Sequence, residues 1–233
     1  FNWTQLDDSN GAVRLAAGTY AGGYDVEIAK RVAEQMGMQL EIVKTEWDGL
    51  PPAVTSGAID AIIAGMSPTE ERKATLDFTD AYYTSELVIV VKKDGAYAAA
   101  TKLADLTGAS ITAQLNTFHY TVIDQIPGVN KLPAMDTFPA MIVALRSGAI
   151  DGYVAERPGA EADTTANPDL TYVKFADGQG FQASESDVSV AVALNKGSDL
   201  VAPINQILAG IDQETRTQMM LDATARQPLA SGN

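Results

Sequence analysis

The chain has 233 residues, 46% of them hydrophobic, enough for real cores and between one typical domain and two full ones in length. Its formal net charge of −14 argues against nucleic acid as a partner, because a phosphate-binding surface must be locally basic. The absence of cysteine excludes thiol catalysis, disulfides and thiolate metal sites, and a single histidine, His119, leaves little for a catalytic triad or an imidazole zinc site.

Taken in chain order, the sequence alternates helical and extended patterns, as α/β folds do. Residues 26–35 place Val26, Ala29, Val32 and Ala33 on one side of a helix closed by Gly37. Residues 40–44 then read as a strand that ends near Trp47. A short helical pattern with Leu50, Ala53 and Val54 leads into Ser56-Gly57-Ala58-Ile59-Asp60 and the apolar strand 61–64. The same five residues recur as Ser147-Gly148-Ala149-Ile150-Asp151, after Met141, Ile142 and Leu145 and before the strand 152–155. Each glycine suits a left-handed helix C-cap, so two equivalent helix-turn-strand units are expected in the two halves of the chain. Between them lie an apolar run at 87–91, a strand at 110–114 and a helix up to Ile126, stopped by Pro127-Gly128. A second apolar run occupies 188–194, then come helices at 201–211 and 214–225. The polar tail 227–233 is expected to fray.

Ligands in open α/β sheets sit beyond the carboxyl ends of strands, which directs attention to the residues just past the two repeated strands. After the first comes Gly65-Met66-Ser67-Pro68-Thr69-Glu70-Glu71-Arg72. Ser67 reads as an N-cap, Pro68 as the first helical residue and Glu70 as the partner in a capping box. Such a turn is either an anion site with Arg72 as a bidentate clamp or an ordinary capped surface helix. After the second comes Glu156-Arg157-Pro158, where Glu156 is either an ammonium partner or half of a surface ion pair with Arg157. An anion site in one half and an acid in the other match the two ends of an α-amino acid. Trp47 could offer an apolar wall, a cation–π face or plain core packing. Thr117, just after Gln114, could cap the helix that begins there, bind a ligand, or do both.

These segments, with Gly23-Tyr24-Asp25-Val26-Glu27-Ile28-Ala29, Trp47-Asp48-Gly49-Leu50, Asp77-Phe78-Thr79-Asp80-Ala81-Tyr82-Tyr83, Gln114-Leu115-Asn116-Thr117 and Lys196-Gly197-Ser198-Asp199, occur in the order of a known family. Over almost its whole length the chain resembles the bacterial polar amino acid-binding proteins of ABC importers, the family 3 extracellular solute-binding proteins. The resemblance implies the periplasmic binding protein type 2 fold: two Rossmann-like α/β lobes joined by a two-strand hinge, with the ligand cleft between them. Lobe 1 would comprise residues 1–85 and 190–233, lobe 2 residues 86–189, with hinge strands near 82–86 and 186–190.

The resemblance further implies that Arg72 clamps the ligand carboxylate, with the Ser67 N–H and Thr117. The Gly65 carbonyl, the Ser67 hydroxyl and Glu156 would hold the ammonium, and Trp47 would pack on the ligand side chain. Ala64, Met66, Gln114 and the Phe118 backbone would border it. No cofactor, metal or catalytic residue is implied. The partners would be a free L-amino acid and the membrane subunits of the transporter, and the protein a monomer in the periplasm or a cell-surface lipoprotein. Gln114, Trp47 and the acidity favour a basic ligand, arginine, lysine or histidine, with glutamine or another polar amino acid as the alternative. A dehydratase of the same fold, or a sensor module, would use the same pocket. The family usually has glycine where Asn116 stands, and it begins with a strand and loop ahead of the position of Phe1, a segment expected to exist elsewhere in a larger protein.

Overall fold

The computed structural model describes residues 1–228, so most of the tail expected to fray lies outside the described residues. The described chain divides into two compact units, one of residues 1–84 and 185–228, the other of residues 85–184.

The first unit opens with a three-stranded antiparallel sheet in which β3 (Tyr20–Gly23) lies between β1 (Asn2–Gln5) and β2 (Val13–Arg14). Helix α1 (Tyr24–Gln35) begins at once and buries Tyr24, Val26, Ile28 and Val32, while Gly37 ends it at φ +64 as the pattern requires. Helix α2 (Leu50–Thr55) leads through Gly57, at φ +76, into β4 (Ala61–Ile62). A second three-stranded sheet has β11 (Ser189–Asn195) in the middle, antiparallel to both β4 and β5 (Leu76–Thr84). Helices α7 (Glu185–Val188), α8 (Val201–Ala209) and α9 (Gln213–Arg226) complete the unit. Its core joins Tyr24 and Ile28 to Tyr82, Val192, Leu194, Ile204 and Leu208.

Residues 40–44 do not form the expected strand. Among the described residues they pair with no strand of either sheet in this unit. Ile42 alone anchors the segment, against Leu15, Ala21 and Val26, while Val43 is half exposed.

The second unit is built on a five-stranded mixed sheet, in the order β10 (Leu170–Val173), β6 (Leu87–Lys92), β9 (Gly152–Glu156), β7 (Ser110–Thr112) and β8 (Asn130–Lys131). The continuous apolar run becomes β6, whose first five residues are buried and whose two edges both carry a paired strand. Helix α5 (Phe138–Ser147) ends at Gly148 with φ +80, so both glycines of the repeated pentapeptide take the left-handed conformation expected of them. The helix expected after residue 117 is α4 (Phe118–Val122), continued by one 3-10 turn to Gln125, and α6 (Arg157–Ala166) starts directly after β9.

Candidate functional site

In the first unit, β4 gives way to a turn through Ala64, Gly65, Met66 and Ser67 whose shape is set by distant residues. The Gly65 N–H donates to the Tyr82 hydroxyl at 3.1 Å, and the Met66 carbonyl accepts from Ala191 N–H of β11 at 3.0 Å. The Ser67 carbonyl accepts from Arg72 Nη1 at 2.9 Å. A trans peptide sends its C=O and N–H to opposite sides, so the bond to β11 aims the Ser67 N–H away from that strand. Among the described residues, the Gly65 carbonyl, the Ser67 N–H and the Ser67 hydroxyl have no internal partner. One acceptor, one donor and one group able to do both are thus held on a fixed turn.

Arg72 is fixed twice over. Its guanidinium bonds the Ser67 carbonyl and lies 5.3 Å from the centre of the Trp47 ring, a cation–π arrangement. Trp47 opens a 3-10 turn rather than ending a strand, and it packs, partly buried, against the cluster of Leu50, Val54, Ile62 and Met66, as the core-packing alternative expects. The expected capping box at Ser67 is not formed. Helix α3 (Glu70–Lys73) is capped by Thr69, whose hydroxyl accepts the Arg72 N–H at 3.4 Å. The Ser67 carbonyl is taken by the Thr69 N–H at 2.9 Å and by Arg72 Nη1, and Thr69 has the extended backbone of an N-cap, so the helix starts at Glu70.

In the second unit, Glu156 ends β9 and is 5% exposed. The alternative of a surface pair with Arg157 fails, because Arg157 reaches Glu86 at 3.1 Å and Glu161 at 3.5 Å instead. Beside Glu156 lies the imidazole of His119 of α4, with Nε2 3.7 Å from Oε1. Thr117 does not cap α4 with its side chain; its hydroxyl donates to the Gln114 carbonyl at 2.7 Å. Asn116 stands at φ +56, in the left-handed region that asparagine tolerates better than most residues with a side chain. Gln114 donates to the Asp136 carbonyl at 3.2 Å, and Phe118 is the first residue of α4, half buried.

Residues 13–222 match the bacterial extracellular solute-binding proteins, family 3. The chain belongs to this family. A probable histidine-binding protein of Campylobacter jejuni is 31% identical to it over 208 residues, which are 88% of this chain and 75% of that one. An arginine-binding extracellular protein of Bacillus subtilis is 30% identical over 191 residues, 80% of this chain and 71% of that one. Among solved structures, an amino acid ABC transporter substrate-binding protein of Streptococcus pneumoniae, bound to L-arginine, superposes with a TM-score of 0.82 at 25% identity. That match covers 97% of this chain and 89% of the other. The fold of this family 3 protein is the mixed α/β architecture of type 2 periplasmic binding proteins.

Ten residues were expected at the site of this solute-binding protein, and the structure distributes them by unit. Trp47, Ala64, Gly65, Met66, Ser67 and Arg72 belong to the first, where Trp47, Ser67 and Arg72 touch one another through the guanidinium. Gln114, Thr117, Phe118 and Glu156 belong to the second, where Thr117 bonds Gln114 and Glu156 lies beside the neighbour of Phe118. Sequence reasoning missed two features. His119 reads from the sequence only as a weak candidate for a triad or a zinc site, yet the helix after Thr117 brings it beside Glu156 at the end of β9. Asp25 and Tyr82 appeared only as letters in family motifs, yet both are buried and hydrogen-bonded to each other at 2.7 Å. Among the described residues no group of three or more His, Asp or Glu could hold a metal ion, and no helix is long and apolar enough to cross a membrane. A cavity of about 170 Å³ in the first unit, lined by Trp3, Gln5, Glu27, Arg31, Asp222 and Arg226 among others, contains none of the ten.

Proposed function

We propose that this family 3 protein captures a free polar L-amino acid, by preference arginine, lysine or histidine, and delivers it to the membrane subunits of an ABC importer. Its two units are the lobes of the binding protein, and they close on the ligand through the crossings near residues 84–85 and 184–185. Capture takes place outside the cytoplasm, in the periplasm or on the cell surface as a lipoprotein, and the protein acts as a monomer without chemical turnover.

The observation that carries this reading is the pinned turn 65–67 beside an immobilised guanidinium. Arg72, the Ser67 N–H and Thr117 take the ligand carboxylate, for which fixed charged donors are the strongest partners. The Gly65 carbonyl, the Ser67 hydroxyl and the buried Glu156 take the ammonium. Trp47 lies along the ligand side chain, with Ala64, Met66, Gln114 and the Phe118 backbone around it. The preference for a basic ligand draws on the net charge of −14 and on relatives whose names include histidine- and arginine-binding proteins.

A thermal-shift panel of the twenty common L-amino acids tests the proposal. A ligand at about 100 times its dissociation constant adds about 2.7 kcal/mol to folding stability, which raises the melting temperature of a protein this size by several degrees. The expected result is a shift with one or more basic amino acids; a melt unmoved by all twenty would refute capture.

A further inference from the structure

The Tyr82 hydroxyl is a junction between a buried acid and the turn at residues 65–67. It donates to Asp25 Oδ1 at 2.7 Å and accepts the Gly65 N–H at 3.1 Å. Asp25 is 1% exposed, lies in the first turn of α1 and also accepts from Asn2 Nδ2 at 2.7 Å. The main chain of Tyr82 is held as well, since the Tyr24 hydroxyl donates to its carbonyl at 2.8 Å. A carboxylate can only accept, so the phenolic proton lies toward Asp25 and an oxygen lone pair is left facing Gly65. Burial, and then the neighbouring Asp25 charge, push the Tyr82 phenol well above its ordinary value, so this direction persists through the physiological range.

Gly65 is where such a constraint has most effect. At φ +62 it occupies a conformation that side-chain-bearing residues avoid, and glycine is the residue least able to hold a conformation by itself. Its carbonyl belongs to the peptide between Gly65 and Met66. The peptide before it is fixed by Tyr82, and the peptide after it is fixed by the Ala191 N–H on the Met66 carbonyl. Losing the first tether frees the glycine and lets its carbonyl swing. The Phe1 ring limits this from one side only, lying 3.2 Å from where a Cβ on Gly65 would be.

We propose that Asp25 and Tyr82 are positioning residues for ligand binding: the carboxylate orients the phenol, the phenol fixes Gly65, and the Gly65 carbonyl is thereby preset to receive the ligand's α-ammonium. The inference rests on the amino acid-binding reading and adds two residues, 57 positions apart, that touch no ligand. Tyr82→Phe removes one hydroxyl and keeps the packed ring and the bond from Tyr24. Asp25→Asn retains an oxygen that can accept from Tyr82, whereas Asp25→Ala does not.

The test is calorimetric titration of the wild type and these three variants with two pairs of probes. L-Arginine is compared with 5-guanidinopentanoate, which lacks the α-ammonium, and L-glutamine with 4-carbamoylbutanoate. Tyr82→Phe and Asp25→Ala are expected to weaken the tighter-binding amino acid by about five- to twenty-fold, the worth of one well-placed hydrogen bond. They should change binding of its des-amino partner by less than twofold, and Asp25→Asn should recover most of the loss. Equal losses for both members of a pair, or no loss in Tyr82→Phe, would overturn the positioning role while leaving amino acid binding intact. Should Asp25→Ala not fold, Tyr82→Phe and Asp25→Asn decide the matter alone. A wild type whose melt none of the twenty common L-amino acids shifts refutes the underlying reading, and this inference with it.

Discussion

Arg72→Lys separates a positioned fork from a mere positive charge. In the protein the guanidinium spends Nη1 on the Ser67 carbonyl at 2.9 Å and rests against Trp47 at 5.3 Å, which holds the rest of the fork in place before any ligand arrives. A hydrogen bond from a charged donor is worth about 1.5–3 kcal/mol and a partly exposed cation–π contact about 0.5–1 kcal/mol. Together these give about 2–4 kcal/mol of organisation that an ammonium on a flexible stem does not reproduce. Because lysine keeps the charge and one donor, the low end applies: about 2 kcal/mol, or roughly 30-fold in dissociation constant. The assay is calorimetric titration with the best ligand from the amino acid panel, alongside a urea melt of the free protein. Folding stability should fall as well, by up to about 2 kcal/mol, because the bond to the Ser67 carbonyl and the contact with Trp47 are made in the free protein. An Arg72→Lys protein that binds within threefold of the wild type would refute the clamp.

Glu156→Gln should weaken amino acid binding by about ten- to a hundredfold, while the melting temperature of the free protein holds or rises, because a buried carboxylate no longer has to be desolvated. Titration and a thermal melt together check this, and unchanged affinity would remove Glu156 from the site. Asp163 offers a pH test away from the site. Burial holds its carboxyl above the usual carboxylate range, even though the Tyr153 hydroxyl donates to it at 2.7 Å. The folded state therefore binds this proton more tightly than the unfolded chain, a contribution present in full at low pH and lost as pH rises through the folded value. Asp163→Asn should match the wild type near pH 3 and exceed it in urea midpoint at neutral pH; the reverse order would contradict the assignment.

Features carried by local chemistry were readable from the sequence. Gly57 and Gly148 announced left-handed helix ends because glycine alone adopts them without cost, and the repeated pentapeptide located both helix-turn-strand units. The apolar runs became the buried strands β6 and β11. What failed depended on partners elsewhere in the chain. Residues 40–44 have the composition of a strand, but a strand exists only where a neighbour completes its ladder. Ser67 has the chemistry of an N-cap, but its carbonyl is taken by the Thr69 N–H and the Arg72 guanidinium, and Thr69 caps the helix instead. At the candidate site, Arg72 was legible as a charge in the segment after the first repeated strand and Glu156 as one at the end of the second. That Arg157 would turn to Glu86 and Glu161, away from Glu156, was a matter of side-chain direction. The link from Asp25 through Tyr82 to Gly65 spans three separate stretches of chain, and no local pattern encodes it.

Recognition of both ends of a free amino acid is the central claim, and one competition measurement addresses it. L-Arginine, L-lysine and L-histidine are titrated beside their carboxamides, which lose the negative end, and their Nα-acetyl forms, which lose the positive end. The tightest of the three free amino acids should bind at least about a hundredfold better than either of its derivatives, since each removes charge-assisted bonds to buried or fixed partners. Derivatives that bind as well as the free amino acid would show that neither Arg72 with Ser67 nor Glu156 with Gly65 grips the ligand.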